Sequence, residues 1–84
     1  MSVSVTLIGR DGCHLCDDAR AIVLGVLSRH DGIAFSELSI DDDEALANRY
    51  REEIPVVLIN DEVHNFWRID PERFDRALTE RIEG

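Results

Sequence analysis

Apolar and polar residues alternate at the start of the chain: Val3, Val5 and Leu7 fall to one side of Ser4 and Thr6, and Ile8 closes the run. This period of two predicts a strand over residues 3–8 with one strongly apolar face. Gly9-Arg10-Asp11-Gly12 interrupts the pattern, and its glycines permit the backbone angles that turn a strand sharply into a helix. From His14 to about Arg29 the period lengthens. Leu15, Ala19, Ile22 and Val26 recur at helical spacing, and Cys16, Val23 and Leu27 widen the stripe, so a long helix buried along one side is expected. Gly25 sits inside it at a cost of about 1 kcal/mol relative to Ala, and close packing against a strand is the expected reason.

His30-Asp31-Gly32 ends that helix, and residues 33–40 form a second strand, with Ala34, Ser36, Leu38 and Ile40 on one face and Ile33 and Phe35 starting the other. One of Asp41 to Asp43 then caps a short helix to about Glu52 that turns Ala45, Leu46 and Tyr50 inward. Ile54-Pro55-Val56-Val57-Leu58-Ile59 is an unbroken apolar run, as expected of a central strand buried on both faces, with Pro55 at its start because it has no N–H for the ladder. Asn60-Asp61-Glu62 suits a tight hairpin turn returning as an outer strand, Val63 to Trp67. Asp70-Pro71-Glu72 is a cap with proline at the first helical position, launching a helix that buries Phe74, Ala77, Leu78 and Ile82. The order is β-α-β-α-β-β-α. Its opening β-α-β implies two parallel neighbouring strands joined by a right-handed crossover.

Composition narrows the classes of partner. Eighty-four residues make one domain, 1–84, with room for one small sheet and a few helices. The net charge is −9, and all nine basic residues are arginine. Phosphate binding needs clustered positive charge, so neither nucleic acid nor an anionic membrane is an expected partner. Met1-Ser2-Val3-Ser4-Val5 lacks the basic start and apolar stretch of a secretory signal, and the expected location is cytoplasmic. His30 and His64 are expected at the surface.

The two cysteines, Cys13 and Cys16, stand three apart between the first strand and the first helix. Random placement in a chain this long gives that spacing roughly 2% of the time, by counting position pairs. With a helix beginning beside Cys13, both side chains share one face, one turn apart, within reach of a disulfide. Cys13 then meets unsatisfied N–H groups and the positive end of the helix dipole, which favour its thiolate, while Cys16 is more shielded. Asp17 and Asp18 oppose that thiolate; Arg10 offsets them, and a protonated His14 adds to the stabilisation. Four-coordinate zinc usually needs a second Cys or His pair, and the remaining histidines are isolated in sequence. A redox dithiol is the expected chemistry. Zinc held by Cys13, Cys16 and His14, or an iron-sulfur cluster, is the rival.

Cys13-His14-Leu15-Cys16 after the first strand and Ile54-Pro55 before the third resemble the thioredoxin superfamily in its small, glutaredoxin-like form, over nearly the whole chain. The resemblance implies an α/β, thioredoxin-like (glutaredoxin-type) fold, a four-stranded mixed sheet in order 2-1-3-4 flanked by three helices. It implies that Cys13 is the nucleophile, that Cys16 is the resolving thiol, and that Pro55 is cis and abuts the dithiol. Ile54 would offer backbone N–H and C=O to an extended substrate, and His14 and Leu15 would also touch it. The implied activity is reduction of a disulfide-containing protein or small-molecule thiol substrate by a monomer. Electrons would come from glutathione or a thioredoxin-reductase-type donor, with no cofactor or metal required; a thioredoxin-fold module that binds without turnover is a further alternative. Glutaredoxins that use glutathione typically carry Pro-Tyr or Pro-Phe between the cysteines and a Gly-Gly turn after the last strand. Here His14-Leu15 and Phe66-Trp67-Arg68 stand instead. Phe66 and Trp67 are expected to pack in the core or at the sheet edge rather than line a groove.

Overall fold

The computed structural model describes residues 3–83; Met1, Ser2 and Gly84 lie outside them, as do the first two residues of the N-terminal stretch considered above. The elements are β1 (Val3–Gly9), α1 (His14–Leu27), β2 (Ile33–Ser39), α2 (Glu44–Tyr50), β3 (Val56–Ile59), β4 (Glu62–Phe66) and α3 (Pro71–Glu83). They form one four-stranded sheet in the order β2-β1-β3-β4. β1 runs parallel to β2 and antiparallel to β3, which pairs antiparallel with β4, so the expected mixed sheet is present. Among the described residues no helix is long and apolar enough to cross a membrane.

The period-two pattern of β1 divides the molecule into layers. Val3, Val5 and Leu7 join Val57 and Ile59 beneath α1 and α3, where Val23, Val26, Phe74 and Leu78 meet them. Ile8 points the other way and packs with Val56, Leu58, Ile40, Ala47 and Tyr50 under α2. β3 supplies both layers and is buried at every position, the reason its sequence is apolar without interruption. Each fully buried Phe, Leu or Val contributes roughly 1.5–3 kcal/mol through removal from water.

The terminal caps follow the sequence. Asp43 accepts from the N–H groups of Ala45 and Leu46 at 2.9 and 3.3 Å, and Asp70 accepts from those of Glu72 and Arg73 at 3.0 and 3.3 Å. Asn60 and Asp61 both take positive φ (51° and 67°), forming a two-residue hairpin turn.

Several side chains lie elsewhere than expected. Leu15 is exposed, and the buried line of α1 is Cys16, Ala19, Val23 and Val26. Gly25 faces open space rather than a strand. β2 is an edge strand, so Leu38 emerges into solvent. In α2 the inward residues are Ala47 and Tyr50; Ala45 is exposed. Ile82 lies exposed in the last turn of α3. His30 is half-buried and bonded through Nε2 to Asp75, tying the end of α1 to α3, with Arg29 a further 3.9 Å from the same carboxylate. His64 is also half-buried. The β3–β4 register shifts there, pairing Val57 with Asn65 but Leu58 with Val63, and the extra residue turns its ring toward Phe74 at a centroid distance of 5.7 Å. No sequence periodicity announces a one-residue bulge.

Candidate active site at the Cys13–Cys16 turn

Cys13 is the N-cap of α1, in an extended conformation (φ −98°, ψ 117°), and its carbonyl accepts the N–H of Asp17 at 3.1 Å. Its side chain caps nothing, which leaves the sulfur to the N–H groups of the first turn. Both cysteines are free thiols, Cys13 half-exposed and Cys16 only 1% exposed.

That difference in depth separates their acidities. The Cys16 thiol donates a hydrogen bond to the Cys13 sulfur and is the largest influence holding the Cys13 pKa below the ordinary thiol value; partial burial opposes it. The backbone N–H groups of Cys16 and Leu15 and the charge of Arg10 add to the lowering. For Cys16, burial comes first and the bond given to Cys13 second, pushing its pKa up to about 11. The partly open thiol is therefore the more readily ionised of the two, and the sealed one holds its proton to higher pH. Exposed His14 is not among the groups that shift Cys13. Asp17, in the first turn of α1, is engaged by Arg20 at 2.9 Å, and the same guanidinium binds Glu37 on β2; neither Asp17 nor Asp18 is among the groups that shift Cys13.

The glycines of the turn have separate tasks. Gly12 takes φ 76°, a conformation open to few other residues. Gly9 has no such need, but a Cβ there would lie 2.9 Å from Cys16 Sγ and 3.2 Å from its Cβ. The end of β1 thus approaches the Cys16 sulfur too closely to leave room for a side chain.

The β1–β3 ladder pairs Ile8 with Val56, so Pro55, one residue before Val56, lies at the same end of the sheet as Gly9. The Ile54–Pro55 peptide bond is cis, as the resemblance implied. Ile54 differs from expectation in one respect. Its N–H is taken by the Tyr50 carbonyl at 3.1 Å, while among the described residues no hydrogen bond reaches its own carbonyl oxygen, so only the acceptor is on offer.

Phe66 and Trp67 stand at the sheet edge, one of the two places expected for them, but they line a groove there, which was not expected. Leu15, Phe66 and Trp67 are 42%, 39% and 54% exposed, and with Ile54 and Arg68 they line a groove of about 510 Å³. The seven-residue α2 is too short to cover the β4 side of its face, which is why Phe66, paired with Val56, emerges. Trp67 holds φ 65°, rare for a bulky residue. Its N–H donates to the Pro55 carbonyl at 2.8 Å, and its indole N–H donates to the Glu52 carbonyl at 2.9 Å. The one available signal was compositional: a Phe-Trp pair following an outer strand is difficult to bury in a domain this small. Among the described residues, no three His, Cys, Asp or Glu side chains converge as a metal site, so the set Cys13, Cys16 and His14 is not assembled as one.

Residues 4–79 match the glutaredoxin-like domain (DUF836). Among solved structures, an X. campestris structural-genomics target protein is 34% identical, with a TM-score of 0.69 over 90% of this chain and 96% of that one. A protein from Nitrosomonas europaea, solved by solution NMR, is 22% identical with a TM-score of 0.75 over 89% of each chain. Chloroplastic thioredoxin z shares the fold at 12% identity, with a TM-score of 0.80 over 99% of this chain and 80% of that one. No curated protein matches the sequence. The architecture is that of the thioredoxin-like fold.

Proposed function

The chain belongs to the glutaredoxin-like domain family, and from that membership and the unequal acidity of its two thiols we infer that it is a thiol–disulfide oxidoreductase acting through Cys13 and Cys16. The carrying observation is the placing of a half-exposed thiol at the N-cap of α1 and a sealed thiol one turn deeper, an arrangement that lowers the pKa of Cys13 and raises that of Cys16.

In the first step the Cys13 thiolate forms a bond to one sulfur of the substrate disulfide, and the other sulfur leaves as a thiolate. In the second, Cys16 gives up its proton and attacks the Cys13 sulfur, releasing the second substrate thiolate and closing the Cys13–Cys16 disulfide. Two electrons pass from the dithiol to the substrate, and the two released thiolates equilibrate with solvent protons. A thiol or dithiol donor, glutathione or a thioredoxin-reductase-type system, returns two electrons. Pro55 and Ile54 stand at the same end of the sheet as Gly9, and in this reading the Ile54 carbonyl serves an extended substrate as acceptor for a peptide N–H. Leu15 and His14 border the approach, and Arg10 adds positive charge near the thiolate. A cytoplasmic, monomeric protein without resident metal or cofactor belongs to this same reading.

The test is disulfide reduction assayed with glutathione and its reductase against thioredoxin reductase. One donor sustains turnover by the wild type, Cys13→Ser reduces it to background, and Cys16→Ser accumulates a mixed disulfide with substrate. Wild-type protein inert with both donors, or Cys13→Ser retaining turnover, overturns the proposal.

A further inference from the structure

We propose that the groove beside the dithiol is a docking site for a polypeptide substrate that places a large apolar side chain next to its reacting cysteine and a carboxylate on Arg68. The inference rests on the thiol–disulfide reading of Cys13 and adds the class of disulfide that it meets.

The surface itself is unusual for so acidic a domain. Leu15, Ile54, Phe66 and Trp67 form one apolar patch, and a second depression of about 320 Å³ shares Leu15, Trp67 and Arg68 and continues along α1 past Ala19 and Ile22. Two depressions meeting at the same three residues accommodate a length of chain rather than a single small thiol. Contiguous exposed apolar surface beside a reactive group marks a binding site more often than chance exposure.

The patch is also held rigidly. The Trp67 backbone is fixed by its bond to Pro55 and its indole by its bond to Glu52, and the ring stands edge-on to Phe66 at 5.0 Å and 83°. A bulky residue kept at positive φ by surrounding bonds is strained backbone of the kind that concentrates at ligand sites. A wall fixed in advance loses little side-chain entropy on binding.

Charge selects the occupant. Among the described residues Arg68 is the only cation lining either depression, it is exposed, and it makes no ion pair; Asp18 lines the second depression, so a carboxylate is drawn to the Phe66–Trp67 end of the groove and not to its α1 end. In a chain of net charge −9 it marks the one place along this groove where a partner's carboxylate is attracted. A second copy of the chain would bring a further nine negative charges to the same surface. Glutathione would bring carboxylates but no large apolar side chain for the patch.

Trp67 is the sole tryptophan, so its emission reports occupancy without turnover. The probes are short blocked peptides with Ser in place of the reacting Cys, one carrying Leu before and Asp after it, others with Ala for that Leu or Lys for that Asp. The Leu/Asp peptide shifts and saturates the emission, and each replacement weakens binding about tenfold, a usual loss for removing one anchor or charge pair. Arg68→Glu reverses the preference between Asp and Lys, an outcome that misfolding cannot imitate. Glutathione saturating the signal more tightly than the peptide, equal binding of all peptides, or an emission change with protein concentration alone overturns the docking site. Peptide binding with no reduction of the corresponding peptide disulfide overturns the redox reading and leaves docking intact. Reduction without discrimination among peptides does the reverse.

Discussion

Two segments lie on either side of β3: the turn from Gly9 to Cys16, which follows β1, and the segment from His64 to Arg68, which closes β4. In the first, every local rule points the same way. A strand ends, a glycine takes positive φ, a cysteine caps a helix and its partner sits one turn deeper. In the second, the local rules are broken. A bulge turns His64 inward, a tryptophan occupies positive φ, and apolar side chains stand in solvent. The difference separates two kinds of geometry: the spacing of the two sulfurs is set within one short stretch of chain, whereas the exposed apolar surface depends on what the rest of the fold leaves uncovered.

The contrast breaks most severely at Gly9. In Gly9→Ala, the new Cβ forces Cys16 to move within a packed interior, costing about 1–3 kcal/mol in stability. The displaced thiol no longer bonds to Cys13, so denaturant unfolding and disulfide reduction both report the loss, while Trp67 emission in the folded protein stays as in wild type.

Next in size is the acidity of Cys13. Its alkylation rate, followed against pH, has a midpoint below the ordinary thiol range because of the bond from Cys16. Cys16→Ala removes that bond and moves the midpoint upward; a midpoint that does not move would assign the lowering to the helix turn alone.

His64 sharpens the comparison from the other side. Burial first, then the charges of Arg73 and Arg81, hold its pKa below the ordinary imidazole value, and among the described residues its buried Nε2 has no hydrogen-bond partner. As pH falls below that ordinary value the unfolded chain binds a proton that the folded chain resists, so stability is lost with acidification. Urea midpoints at descending pH show this loss in wild type, and His64→Phe lacks that component of it.

The smallest effect belongs to neither segment. Gly25 faces open space on α1, and Gly25→Ala raises stability by up to about 1 kcal/mol, with thiol reactivity unchanged. A loss of stability would mean that the helix needs glycine there for a reason its surroundings do not show.

Much of the fold was legible because its elements are locally consistent. Alternation in β1, the unbroken apolar run of β3, and aspartate caps at Asp43 and Asp70 each depend on near neighbours in sequence. The same holds for the Cys13–Cys16 spacing, which one helical turn converts directly into proximity. What sequence could not decide was set by distant coverage: that α2 is too short to roof β4, that a bulge redirects His64, and that Ile54 spends its N–H on Tyr50. Likewise, Gly9 looked like a hinge and is instead the gap that admits Cys16. Sequence alone determined which two sulfurs come together, because their geometry spans a single turn; tertiary structure decided which surface surrounds them, because exposure depends on which elements the packed chain fails to cover.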